Sequence, residues 1–330
     1  MATVSERPEI FGDEYWELLD TLNEGSVHIN FDPYEDIAWD SPELQTSPTD
    51  EGWILTAELD PLGATAWYQN LPREQQIELG RWRMVNSVRV GACFESLLIR
   101  GLMHYAISLP NKSPEFRYCL HEMTEECNHI QMFQELVNRC EPDVPGMRTI
   151  FRLTMPILGF IGGYTPMIFM IGILGGEEPI DHYQKALVRS GRPLPPMMAR
   201  AIEIHVQEEA RHISFAAEFL RVHSRQAGRL TNALCAFSFP LIMRWLGGEI
   251  MTSPKSIKRR FNVPDEVWRE AFWKDPRSRK IMASYFNDMR ALTDEIGWRN
   301  RWTKPIWRWC GIDGEPSRYR GEPDREAITH

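Results

Sequence analysis

Residues 205–212 read His-Val-Gln-Glu-Glu-Ala-Arg-His. On a helix, at 100° per residue, His205, Glu209 and His212 fall within about 60° of one another. Three side chains of ligand type thus share one face, a turn apart. Taken alone, the segment reads equally well as a solvated polar face that happens to carry two histidines.

A second unit changes that reading. Glu126-Cys-Asn-His129 lies within HEMTEECNHIQMF, 83 residues before its counterpart (209 − 126). Two Glu-x-x-His units on two helices, with one more Glu from each of two others, form the dinuclear carboxylate site of ferritin-like bundles. The pattern requires a glutamate on the helix before each unit. Glu95, inside the apolar VGACFESLLIRG, lies 31 residues before Glu126, and Glu178 lies 31 residues before Glu209. A glutamate among apolar residues is costly to bury unless it is paired or binds a metal; the alternative for Glu95 is an ion pair with Arg100. Glu177 and Glu178 are adjacent, so only one can face inward. Pro179 disfavours helical geometry at Glu178, but a kink beside a site would accommodate it. Equal spacing favours Glu178, with Glu177 as the alternative.

The candidate ligands are Glu95, Glu126, His129, Glu178, Glu209 and His212, with His205 as a seventh. Mixed carboxylate and imidazole donors suit two iron ions, with manganese as the other metal of that class; zinc usually takes four donors. The fold expected is all-α, a ferritin-like bundle with additional helices. Residues 1–330 read as one domain: an irregular N-terminal segment to 72, a helical bundle over 73–298 and a tail over 299–330. Helical patterns run from Arg73 to about Ser108, Glu115 to about Cys140, up to about Ser190, Met198 to His223, and Arg229 to Met251 with a kink or split near Pro240. Shorter ones cover Asp265–Trp273 and Arg277–Ile296.

Composition narrows the function. Lys+Arg is 37 and Asp+Glu is 46, a net charge of −9, which argues against nucleic acid as a partner. The six cysteines form no C-x-x-C pair and read as buried thiols in a reducing, cytoplasmic setting. No signal peptide is visible in the first residues. Met155–Gly176 is 22 residues without a charge, long enough to span a membrane. Its Pro and Gly residues instead suggest a loop followed by a shorter buried helix, and no membrane span is expected. No G-x-G-x-x-G after a strand and no four-cysteine cluster motif is found, so a separate electron donor is expected. In the tail, Trp298, Trp302, Trp307 and Trp309 alternate with Arg299, Arg301 and Arg308. They read as aromatic packing against the bundle, with a partner or membrane-surface contact as the alternative.

The chain resembles the p-aminobenzoate N-oxygenase (AurF-like) family of di-iron oxygenases. The likeness rests on Glu95, on Glu126–His129, on the stretch from Glu178 through PPMM to His212, and on FPLIMRWL further on. The family adds a histidine one turn before the last unit, and His205-x-x-x-Glu209-x-x-His212 fits. The resemblance implies a seven-ligand di-iron centre and an O2-dependent N-oxygenase or hydroxylase acting on a small aromatic or apolar substrate, an aryl amine first among them. It carries over no substrate-pocket residue, and a homodimer is open to it. Two readings compete: an iron-oxidising or iron-binding protein without organic substrate, and a structural helical protein whose polar residues form a buried network.

Overall fold

The computed structural model describes residues 12–140, 144–252, 254–272 and 274–323. Among them there is no β-strand, and the fold is all-α, as expected. The chain runs through α1 (Gly12–His28), α2 (Ala66–Gln69), α3 (Arg73–Ala106), α4 (Pro114–Cys140), α5 (Thr149–Tyr164), α6 (Pro166–Arg189), α7 (Pro196–Gln226) and α8 (Arg229–Met251). Five short helices close it: α9 (Lys255–Arg260), α10 (Asp265–Ala271), α11 (Pro276–Ser284), α12 (Asn287–Glu295) and α13 (Lys304–Cys310). Prolines open α4, α6, α7 and α11, where the missing N–H costs no helical bond.

Two hairpins, α3/α4 and α6/α7, form the heart of the bundle. The buried apolar residues fall into two clusters around them. α8 covers α6, and α1 packs on α4 and α7.

α1 corrects the expectation of an irregular N-terminal segment. Tyr15, Trp16, Leu19 and Leu22 are buried on one side of it, a helical period that the acidic and turn-forming residues around it mask. Tyr15 Oη donates to the buried Glu115 carboxylate of α4, which also accepts from Tyr105 Oη at 2.8 Å.

The apolar stretch is a second correction. It is not a loop but parts of two helices, α5 and α6, divided at Thr165. The glycines of α5 serve close packing. A Cβ at Gly163 would lie 2.2 Å from Cδ2 of His104, and one at Gly159 2.9 Å from Cβ of Arg100, so only glycine lets α5 lie this near α3. α8 passes through Pro240 as one helix. Its stretch from Arg229 is long and apolar enough to cross a membrane by length and composition, yet 56% of that window is buried inside the fold.

The tail divides. Trp298 and Trp307 are buried against Phe239 of α8, with Arg299 over the Trp307 ring. Trp302 and Trp309 are exposed, so aromatic packing accounts for only half of this segment. Residues 324–330 of the tail lie outside the described residues. Cys119, Cys235 and Cys310 are buried, Cys93 and Cys140 are half-buried, and Cys127 is exposed; burial therefore holds for only part of the cysteine set.

Candidate metal centre

The middle turns of α3, α4, α6 and α7 bring seven ligand-type side chains together, in two groups. Glu95, His129 and His205 form one; Glu126, Glu177, Glu209 and His212 form the other; within each, one donor atom per residue lies within 4.8 Å of the rest. All seven are buried. Glu126 spans the groups: its Oε2 lies 3.2 Å from His129 Nδ1 and its Oε1 2.8 Å from His212 Nδ1. Glu209 Oε2 lies 3.1 Å from His212 Nδ1 and 3.9 Å from His205 Nε2. His205 Nε2 is also 3.7 Å from Glu95 Oε1. Glu95 is not paired with Arg100, which is exposed and bonded to Ser96 on its own helix.

Six of the seven residues named from the sequence are thus assembled. The seventh position goes to Glu177, not Glu178. On α6 the inward face carries Glu177 and, two turns on, Gln184, whose Oε1 lies 2.9 Å from His205 Nδ1. Glu178 shares the adjacent face with Asp181 and Lys185 and is turned toward Asp288 and Arg320. The equal-spacing rule fails by one residue because the hairpins differ. The loop between α6 and α7 is one residue shorter than that between α3 and α4, but each arm of α6/α7 is one residue longer. Pro179 does not end the helix; α6 continues through it, losing one bond to the carbonyl of Gly175.

A second ring of polar residues holds the histidines. His129 Nε2 lies 2.8 Å from Glu208 Oε2 of α7, and His212 Nε2 lies 2.8 Å from Glu125 Oε2 of α4. Each hairpin thereby orients the other's histidine, leaving Nδ1 on the inner side. Arg211 Nη2 joins the two carboxylates, 2.9 Å from Glu125 and 3.6 Å from Glu208. It also donates to the carbonyl of Ile29, and Phe31 N–H donates to Glu208, so the chain after α1 caps this ring. Carboxylates behind a histidine fix its orientation and raise its basicity as a ligand. These residues were missed in the sequence, although both units carry the doublet Glu-Glu-x-x-His: Glu125-Glu126 and Glu208-Glu209. Three further histidines stand apart: His104 packs on Phe160 and Tyr164, His182 packs on Tyr285, and His121 Nε2 accepts from Arg117 Nε.

Electrostatics mark the same place. Burial, then the neighbouring Glu126 and Glu209, holds Glu95 well above the usual carboxylate range. Glu177 is raised by burial, then by Glu209 and Glu126. Burial also pushes Glu126 up, but His212 and His129 together outweigh it and hold it well below that range. Burial lowers His129, yet Glu126 and Glu208 prevail and bring it to about 10. His205, with burial dominant, falls to about 4. Both oxygens of Glu177 and one of Glu209 are buried without a hydrogen-bond partner. Leaving such groups unpaired is costly, and a cation among them would satisfy these acceptors. The donor set, four carboxylates and three imidazoles, fits a pair of iron ions.

Two cavities touch the centre. One, of about 160 Å3, lies between α3, α5, α6 and α8 and is lined by Glu95 and Glu177 at its inner end. Its other walls are apolar apart from Thr165, and its outer end is formed by Ile161 and Trp245. The other, of about 70 Å3, reaches His205 and Gln184 and contains the buried Asp60–Arg83 ion pair.

A helical bundle with this centre is the architecture of a non-haem metal-dependent oxidoreductase class. The chain belongs to the family described as p-aminobenzoate N-oxygenase AurF, whose family model matches residues 12–297. That family is one of di-iron oxygenases. The chain is 51% identical over 316 residues to the uncharacterized protein MT0908 of Mycobacterium tuberculosis (strain CDC 1551 / Oshkosh), covering 96% of this chain and 93% of the relative. It is 50% identical, with the same coverage, to the uncharacterized protein Mb0909 of Mycobacterium bovis (strain ATCC BAA-935 / AF2122/97). No solved structure matches the chain.

Proposed function

We propose that this protein is an O2-dependent di-iron oxygenase that oxygenates a small apolar organic molecule, with aryl-amine N-oxygenation as the leading reaction. Glu95, His129 and His205 would hold one iron, Glu177 and His212 the other, and Glu126 and Glu209 would serve both. Two irons so held supply the redox chemistry that activates O2. Electrons come from a separate donor.

One observation carries the reading: an apolar cavity ends on Glu95 and Glu177, two members of the candidate ligand set. An apolar cavity of roughly 150 Å3 stays dry and can hold one benzene ring, and this one has about 160 Å3. Its apolar walls disfavour water, and an apolar molecule filling it would displace water from the reacting groups and lie beside the metals. They offer no cation to bind a substrate carboxylate, which favours an uncharged amine over an aminobenzoate. Iron oxidation without an organic substrate would call for a hydrophilic path for the ion, and this cavity has none. Gln184 orients His205 so that Nε2 faces inward, whereas Glu208 and Glu125 hold His129 and His212 with Nδ1 inward.

The test is to load the protein anaerobically with ferrous iron, measure the metal, and mix it with 18O2 and a panel of uncharged aryl amines and aminobenzoates. We expect two irons per chain and label in the uncharged amines. Consumption of O2 with ferric mineral as the sole product would replace this reading with iron oxidation.

A further inference from the structure

The outer end of the apolar cavity opens on a surface that the fold leaves uncovered. Along α5, Ile150, Leu153, Ile157, Phe160 and Tyr164 recur at steps of three and four and are all more than half exposed. Along α8, Leu230, Leu234, Phe237, Leu241 and Trp245 form a second exposed stripe. The helices meet at one end through the Phe151–Trp245 ring contact and the Arg148–Glu249 pair, and the cavity opens between them beside Ile161 and Trp245. Two exposed apolar stripes of this length flanking one cavity mouth mark an interaction site.

Charge and aromatic placement say which kind. Residues 148–164 and 229–251 carry four arginines and one acid, Glu249, in a chain whose net charge is −9. Beside the apolar face lies a groove of about 550 Å3 bounded by Trp245, Trp309, Arg148, Arg244, Lys255 and Arg269. The one acid lining it among the described residues is Glu249, which is buried and paired with Arg148. Trp309 is 81% exposed, and packing of the tail does not explain it. An apolar face bordered by tryptophan and basic side chains matches the interface of an anionic bilayer, with acyl chains below and phosphates above. A second copy on this face would bring the same basic excess, with no acid lining the groove among the described residues beyond the buried Glu249 to answer it, and would cover the cavity mouth.

We propose that the α5/α8 face, with Trp309 and the basic groove, docks on an anionic membrane surface, so that an apolar substrate enters the cavity from the lipid phase. The substrate part rests on the oxygenase reading; the docking does not, and it is tested without turnover. Full-length protein, metal-free and iron-loaded, is sedimented with vesicles of phosphatidylcholine alone and with phosphatidylglycerol added. Binding is expected only with the anionic lipid and should weaken at high salt. Leu153→Glu with Leu234→Glu, at exposed positions outside the cavity, should weaken it at least tenfold with circular dichroism and iron loading unchanged. Lys255→Glu with Arg269→Glu should weaken it similarly, and Trp309→Ala more mildly. Glu126→Ala should bind vesicles like the parent, which separates failure of the metal reading from failure of this one. The proposal is overturned if the parent ignores anionic vesicles or if the Leu153/Leu234 variant binds as the parent does. It is equally overturned if sedimentation velocity shows a dimer that this variant converts to monomer, since a second copy would then own the face.

Discussion

The α3/α4 and α6/α7 hairpins are two versions of one device, and their differences locate the chemistry. Each offers a glutamate on its first helix and Glu-Glu-x-x-His on its second, and each braces the other's histidine. They part company one turn before the unit. There α7 has His205, whose Nε2 faces Glu95 and Glu209. At the matching position α4 has Glu122, buried, with neither carboxylate oxygen bonded, and pushed by burial to about 8. The ligand set is therefore symmetric in its core and asymmetric at its edge. The core suits holding two metals; the added imidazole distinguishes one metal from the other.

The core should fail first. Glu126→Ala or Glu209→Ala removes a carboxylate that touches both groups, and metal analysis should show most of the iron gone. Full retention in both variants would break the comparison at its centre.

Next comes the register of α6. Glu177→Ala should lose most of one iron, while Glu178→Ala should keep the full complement. The reverse result would restore equal 31-residue spacing and demand a different rotation of α6.

The crossed braces come third. Glu208→Ala frees His129, and Glu125→Ala frees His212. Losing such a partner typically costs about 10–100-fold in metal affinity, so competition with a chelator should find similar weakening in both. A large effect in only one would show that the hairpins are not equivalent.

The smallest effect on metal content belongs to the edge. His205→Ala should retain most iron yet lose turnover, and Glu122→Gln should retain both iron and the ultraviolet–visible spectrum of the loaded protein. Iron loss in the Glu122 variant would make that carboxylate an eighth ligand and the two hairpins symmetric throughout.

Proton linkage follows from the same groups. Without metal, burial and neighbouring carboxylates raise Glu95 and Glu177 above the usual carboxylate range, and Glu126 and Glu208 hold His129 at about 10, so all three favour their protonated forms more than free side chains do. Metal needs the deprotonated forms. Ferrous binding should therefore release protons, seen by calorimetry in buffers of different ionisation enthalpy, and should weaken as pH falls.

Much of this was legible along the chain. The period of three and four residues is local, so the amphipathic α3, α4 and α7 and the spacing within each Glu-x-x-His unit follow from sequence alone, as do six of the seven residues now found together. What lay beyond it depends on how separate helices pack. Whether Glu177 or Glu178 faces inward depends on the rotation of α6 against α7, and two adjacent glutamates carry no local signal for that. Whether the glycines of α5 make a loop or a helix depends on the nearness of α3. The crossing of Glu125 to His212 and Glu208 to His129 exists only once the hairpins meet. So does the apolar cavity, because its walls come from four helices and empty space between helices is written in none of them.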